Sequence, residues 1–372
     1  MSEAEQTIPI TVITGFLGSG KTTLLSKLLR HPGMDKAAVI INEFGEVGLD
    51  HELVEKSEEE PILMESGCLC CTLRTDLVET LHDLFGRRAR GETIEFDRVV
   101  IETTGLADPA PIVHTLIADP LVGRCFHLDS VVATVDAANG GGTLDAHEES
   151  VRQAAVADRL LITKTDIAAA SAISNLDDRL NQINPGADRF KVLNGEIDPA
   201  RLFGAGLYDP LTKTADVQRW LNEEAYNEGN DHSHNHSHHH HDDHDHHHSH
   251  EHGHGHDHSH HHEDHNHDHH DGIHAFCIYK EEALPWESWV GFLQSLIDAR
   301  GADMLRIKGI LNVDGLEQPV AVHGVQHVFH PPAILEKWPS EDRRSRLVFI
   351  AKDVPEQVIK TMLASWGQQE KV

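Results

Sequence analysis

The stretch Gly15-Phe16-Leu17-Gly18-Ser19-Gly20-Lys21-Thr22 fits G-x-x-x-x-G-K-[ST], and its surroundings restrict the fold more than any other feature of the chain. It follows the apolar run Ile10 to Thr14 and precedes leucines at 24, 25, 28 and 29, the spacing of one helical face over Lys21 to Arg30. A strand, a glycine-rich turn and a helix in that order form a cradle for phosphate. The glycines let backbone N–H groups converge on phosphate oxygens, and the helix N-terminus adds positive potential. In such a cradle Lys21 reaches the β- and γ-phosphates and Thr22 offers its hydroxyl to Mg²⁺. Gly15, Gly18, Ser19, Gly20, Lys21, Thr22 and Thr23 are the candidate nucleotide-binding residues, and Lys21 and Thr22 also touch the reacting phosphate.

From Ile8 to about Leu221, short β-branched runs alternate with helical stretches, which predicts an α/β domain with a mostly parallel sheet over residues 1–222. The expected strands include Ile10 to Thr14, Ala37 to Asn42, Arg98 to Glu102, Ser130 to Asp136 and Arg159 to Thr163. They are apolar throughout, as strands covered by helices on both faces should be. Residues 223–272 hold almost no large apolar side chains beyond their first positions and are expected to be a disordered linker. Residues 273–372 then predict a small α+β domain. Its strands are expected at Ile273 to Lys280, Ala302 to Val313, Pro319 to Phe329 and Ser345 to Lys352, and its helices at Leu284 to Ala299 and Pro355 to Trp366.

A P-loop also needs an acid near Mg²⁺ and a sensor of the γ-phosphate. Val99-Val100-Ile101-Glu102-Thr103-Thr104-Gly105 supplies both at a strand end: Glu102 for a metal-bound water and the Gly105 N–H for the phosphate. Loss of that phosphate would rearrange Leu106-Ala107-Asp108-Pro109. Base choice falls to Thr163-Lys164-Thr165-Asp166, an N-K-x-D-like element with Thr in place of Asn. The Asp166 carboxylate accepts from guanine's N1–H and amino group, a pattern adenine lacks, so GTP is expected over ATP. No arginine finger or water-positioning Gln is evident, so hydrolysis is expected to be slow until a partner completes the site.

The chain of 372 residues carries 31 Lys and Arg against 61 Asp and Glu, a net charge of −30 with His neutral. Such a surplus repels phosphate backbones and anionic headgroups, so neither nucleic acid nor a membrane surface is expected as a partner. No apolar run approaches the roughly 18 to 20 residues of a membrane helix, and MSEAEQTIPI has no signal-like core, which reads as cytoplasmic. Three of five cysteines, Cys68, Cys70 and Cys71, fall within four residues. Three thiolates with one position open suit a transferable Zn²⁺, although a buried or redox-active cluster has the same spacing. Glu43 and Glu46 read equally as auxiliary ligands, switch acids or solvated carboxylates, and Cys125 and Cys277 as buried apolar thiols.

Of 33 histidines, 23 lie between His232 and His270, in a stretch without Lys or Arg. His232, His234, His236 and His238 open this tract, a polydentate chelator for several divalent ions that fixes no geometry to select among them. Near the C-terminus, His323 and His327 have the same parity on one expected strand, hence the same face, with His330 beside it.

The motifs GFLGSGKTTLL, INEFGEVGLD, ESGCLCC, IETTGLADP and TKTD stand in the order seen in CobW-type GTPases, and VHGVQHVFHPPAILEKWP with RRSRLVFI resembles that family's C-terminal domain. The resemblance implies a metallochaperone that loads zinc and passes it to a client metalloprotein in a step requiring GTP hydrolysis. It assigns Cys68, Cys70 and Cys71 as metal ligands and Gly18 to Thr23 as the nucleotide loop. Because relatives serve cobalt in cobalamin synthesis or iron-type nitrile hydratase, Co²⁺ stays open beside Zn²⁺. A metal reservoir with a vestigial GTPase and a small-molecule kinase with structural zinc are the competing readings. Client identity and oligomeric state are not encoded in any motif.

Overall fold

The computed structural model describes residues 7–41, 62–63, 69–72, 77–205, 217, 221–222, 224–228 and 272–368. The first domain is built on strands β1 (Ile8–Gly15), β2 (Ala37–Ile41), β3 (Ile62–Leu63), β4 (Leu69–Thr72), β5 (Arg98–Glu102), β6 (Phe126–Asp136), β7 (Arg159–Thr163) and β8 (Asp188–Val192). They form one sheet in the order β3-β4-β2-β5-β1-β6-β7-β8, parallel everywhere except between β3 and β4. The connections are helices α1 (Lys21–Leu28), α2 (Leu77–Ala89), α3 (Ala110–Ala118), α4 (Val122–Cys125), α5 (Gly140–Ala146), α6 (Glu148–Val156) and α7 (Ala170–Ile183). Along β1, Ile10 and Val12 join a core with α2 and α3, while Ile13 packs with Leu24, Leu25 and Leu28 of α1. Alternate residues thus serve opposite layers, which is why the strands are apolar throughout. The chain leaves β1 toward β2 on one side and later adds β6 on the other. Its glycine-rich turn therefore lies at the crevice where ligands bind open α/β sheets.

A short helix α8 (Glu224–Glu228) falls inside the stretch expected as linker. Tyr226 explains the difference, because this large ring is buried in the core between the two domains. The second domain comprises β9 (Ile273–Lys280), α9 (Trp286–Arg300), β10 (Arg306–Leu311), β11 (Val320–Val325), β12 (Val328–Phe329), β13 (Ala333–Ile334), β14 (Ser345–Lys352) and α10 (Glu356–Gln368). Its sheet is antiparallel in the order β12-β11-β10-β14-β9, with β13 on β11. One face packs on Trp289, Phe292 and Leu296 of α9 and Ile359 and Leu363 of α10. The other face shares a core with the first domain, where Cys277, Ile310, Val348 and Ile350 meet Leu176 and Leu180. A buried ion cluster crosses the same boundary: Asp158 pairs with Arg306 and, at 3.2 Å, with Lys308.

Two details differ from the sequence expectation. The single strand expected over Pro319 to Phe329 is a hairpin that turns at Gln326-His327, with Gln326 in the left-handed region at φ 49°. His323 and His327 consequently do not share a strand face. The residue that returns to His323 is His330, whose ring stacks on it with centroids 4.4 Å apart. Cys277 is buried as expected, but Cys125 at the end of α4 is only half-buried.

Candidate functional site

Tertiary contacts dictate the local backbone of the phosphate loop. Gly15 has φ 140°, and a Cβ there would stand 2.5 Å from the Thr134 carbonyl oxygen of β6, so only glycine permits that approach. Gly20 caps α1 in a left-handed conformation, φ 98°. Ser19 Oγ and Thr134 Oγ1 share a hydrogen bond of 2.6 Å, tying the loop to β6. Lys21 is buried and donates Nζ to the carbonyls of Gly15 at 2.7 Å and Phe16 at 3.1 Å. Its ammonium is thereby held within the loop it serves. Thr22 and Thr23 occupy the first turn of α1, and Gly18, at φ 70°, has open space around its α-carbon.

Strand β5 ends at Glu102, which is buried and in register with Ile13 of β1 and Ile41 of β2. Thr103 N–H donates to the Ile13 carbonyl at 2.9 Å and Thr103 Oγ1 to Thr14 Oγ1 at 2.9 Å, which locks the turn after β5 against β1. Gly105 follows so closely on the phosphate loop that a Cβ would stand 2.8 Å from the Leu17 nitrogen. The expected γ-phosphate sensor and the phosphate loop are therefore in backbone contact.

The element expected to read the base is anchored to the same loop. Thr163 Oγ1 donates to the Ser19 carbonyl at 2.7 Å, so threonine performs the bracing that asparagine performs in N-K-x-D. Lys164, at φ 55°, pairs with Asp136 at 2.7 Å. Asp136 also accepts from the N–H groups of Ala138 and Asn139. Burial pushes its carboxyl upward, but the hydrogen bonds from Lys164, Asn139 and Ala138 outweigh burial and hold it below the ordinary carboxylate range. Asp166 is exposed in the turn after β7. Asp136 was missed by sequence reasoning, and its one signal is a lone acid at the end of an apolar strand, as at Glu102. A pocket of about 160 Å³ lies beside the loop, lined by Phe16, Ser19, Thr134, Asp136, Gln153 and Lys164 among others.

The cysteine motif is placed in part. Cys70 and Cys71 lie on β4, their backbones opposite Val39 and Ile40 of β2. Ile40 is in turn opposite Ile101 of β5. Two strand spacings, about 10 Å, thus separate the Cys71 backbone from the strand that ends at Glu102. Cys68, Glu43, Glu46 and the tract opened by His232, His234, His236 and His238 lie outside the described residues. Among the described residues no group of three or more His, Cys, Asp and Glu is placed to hold a metal ion, and no helix is long and apolar enough to cross a membrane.

Comparison with known proteins agrees with this arrangement. Residues 9–191 match the CobW/HypB/UreG nucleotide-binding domain, and residues 273–366 match the cobalamin synthesis protein cobW C-terminal domain. The chain is 30% identical over 360 residues to the zinc chaperone YjiA of Escherichia coli, covering 96% of this chain and 98% of that one. It is 33% identical over 198 residues to zinc-regulated GTPase metalloprotein activator 1 of Schizosaccharomyces pombe, covering 51% of this chain and 47% of that one. The crystal structure of the Zn(II)-bound YjiA GTPase from E. coli superposes with a TM-score of 0.68 at 27% identity, covering 97% of this chain and 99% of that chain.

Proposed function

Because the chain belongs to the CobW/HypB/UreG family of P-loop GTPases, with the CobW C-terminal domain behind that module, we propose that it is a zinc chaperone. In this proposal it loads one ion on Cys68, Cys70 and Cys71 and passes it to a client metalloprotein as GTP is hydrolysed. The observation that carries the reading is the shared sheet: β4, with Cys70 and Cys71, pairs with β2, which pairs with the strand ending at Glu102. β2 ends at Ile41, in register with Glu102 of β5, and Asn42 and Glu43 come next in the sequence. The relatives named as zinc chaperones favour Zn²⁺ over Co²⁺ as cargo.

The Thr22 hydroxyl in the first turn of α1 and the Glu102 carboxylate at the end of β5 are hard oxygen donors of the kind Mg²⁺ takes. When bound, Mg²⁺ would neutralise charge on the β- and γ-phosphates. The chain's own residues do the rest. Lys21 exchanges the Gly15 and Phe16 carbonyls for phosphate oxygens, and the Gly105 N–H contacts the γ-phosphate. Thr163, Lys164 and Asp166 hold the guanine. Departure of the γ-phosphate frees Gly105, and in this cycle Glu43 or Glu46 is then lost as an added ligand to the ion. A ligand withdrawn from the thiolate site lowers affinity about tenfold for each 1.4 kcal/mol lost. The tract of His232, His234, His236 and His238 captures and buffers divalent ions nearby. The cycle belongs in the cytosol, where thiols stay reduced.

Zinc and cobalt titrations of the chain lacking residues 232–270, with GDP and then with a non-hydrolysable GTP analogue and Mg²⁺, test this proposal. One ion per chain, bound much more tightly with the analogue and lost in Cys70→Ser, is the expected result. Equal affinity with both nucleotides would remove the chaperone cycle and leave the histidine reservoir.

A further inference from the structure

The segment after Gly105 is gripped by two neighbouring residues of α6. Gln153, 1% exposed, donates Nε2 to the carbonyls of Gly105 at 3.2 Å and Ala107 at 2.9 Å. Those two carbonyls fix which end of the amide is the nitrogen. The other end, Oε1, is buried with no hydrogen-bond partner among the described residues. A buried acceptor without a partner disfavours the fold, so an apolar side chain of similar size would serve stability better at this position. What glutamine adds is its grip on the turn.

The next link runs through Asp108. Its Oδ1 accepts from Ala110 N–H at 2.9 Å, and its Oδ2 accepts from Arg152 of α6 at 3.2 Å. The same Oδ2 accepts from Gln326 Nε2 of the second domain at 3.4 Å. Gln326 forms the β11–β12 turn and is pinned there by its own N–H, which donates to the Met304 carbonyl at 2.8 Å. A second cross-domain contact lies one helix further on, where His114 Nε2 stands 2.9 Å from the Val325 carbonyl oxygen. One continuous segment, residues 105–114, thus touches the phosphate loop at Gly105 and the hairpin of the second domain at Asp108 and His114.

We propose that Gln153 and Asp108 are positioning residues that pass the nucleotide state to the C-terminal domain. Gln153 sets the Gly105 peptide against the phosphate loop, and Asp108 carries displacement of that segment to Gln326 and the β11–β12 hairpin. This rests on Gly105 being the γ-phosphate contact. Coupling between sites is reciprocal, so whatever docks on the hairpin changes GTP affinity by the same factor.

Amide hydrogen exchange on the full chain tests the proposal, with GDP and then with a non-hydrolysable GTP analogue and Mg²⁺. The wild-type chain is expected to change protection at residues 105–109 and, with it, at 325–329. Gln326→Asn keeps a residue that tolerates the left-handed backbone but loses reach to Asp108. It should retain the change at 105–109 and lose the one at 325–329. Gln153→Leu should weaken GTP-analogue affinity about tenfold, with KM for GTP rising in step because hydrolysis is slow, while GDP affinity stays within twofold of wild type. Gln153→Met is the second variant if leucine does not fit. A response at 105–109 that never reaches 325–329, or a Gln326→Asn chain that still responds at both, would overturn the relay and leave the Gly105 contact standing. Absence of any response at 105–109 in the wild-type chain would overturn the Gly105 contact itself.

Discussion

Thr163 donates its hydroxyl to the carbonyl of Ser19 across 2.7 Å, and this one side chain joins the turn after β7 to the phosphate loop. Thr163→Val keeps the shape and removes the donor, leaving a buried carbonyl short of a partner at a cost of about 1–3 kcal/mol. GDP affinity should fall roughly tenfold to a hundredfold, and Thr163→Asn should restore most of it by donating from its amide. Titration with a fluorescent GDP analogue checks both variants. Wild-type affinity in Thr163→Val would mean that the brace plays no part in binding.

Asp166 is exposed in the turn after β7, and in the proposed function its carboxylate accepts two hydrogen bonds from guanine. Asp166→Asn presents a donor where guanine also donates, so GDP binding should fall about a hundredfold or more. Xanthine carries a carbonyl where guanine has the amino group and should become the preferred base. Competition between guanosine and xanthosine diphosphates measures the switch, and unchanged preference would exclude Asp166 as the base reader.

Much of the nucleotide site was legible because its parts are motifs in which neighbours in sequence act together. Gly15 to Thr22, Glu102 to Gly105 and Thr163 to Asp166 each sit at a strand end, and a parallel sheet brings all strand ends to one edge. Gln153 and Asp136 belong to no pattern, since their importance comes from what the fold sets beside them. Strand parity paired His323 with His327, but parity holds only while the chain stays extended. The left-handed Gln326 reverses the chain, and the His330 N–H instead donates to the His323 carbonyl at 2.9 Å.

Asp158 pairs with both Arg306 and Lys308 inside the domain boundary. Asp158→Ala would leave two buried cations without that counter-charge, and loss of one member of a buried pair costs about 3–5 kcal/mol. Lys308→Met should behave differently. Burial and the neighbouring Arg306 already push the Lys308 ammonium down to about 8, so the fold tolerates its charge poorly. Its replacement is expected to stay within about 1 kcal/mol of wild type. Urea unfolding of the two variants gives the comparison, and equal losses would mean that the cluster is not organised around Asp158.

The stacked rings of His323 and His330 make stability depend on pH. Burial, helped by Arg306, lowers His330 to about 3. Burial, with His330, Arg306 and Lys308 alongside, holds His323 well below its ordinary value. Both rings are therefore neutral in the folded chain and titrate near 6.5 when it unfolds. Below pH 6.5 the unfolded chain takes up protons that the folded chain refuses, so stability is full above neutrality and falls as pH drops. The slope is about 1.4 kcal/mol per pH unit for each ring, or about 2 kcal/mol per ring by pH 5. His330→Phe keeps a stacked ring that cannot titrate, and it should remove about half of this acid sensitivity while changing little at pH 7.5. Urea midpoints of wild type and variant at pH 7.5, 6.0 and 5.0 measure the difference. Parallel pH profiles would show that the acid response originates elsewhere in the chain.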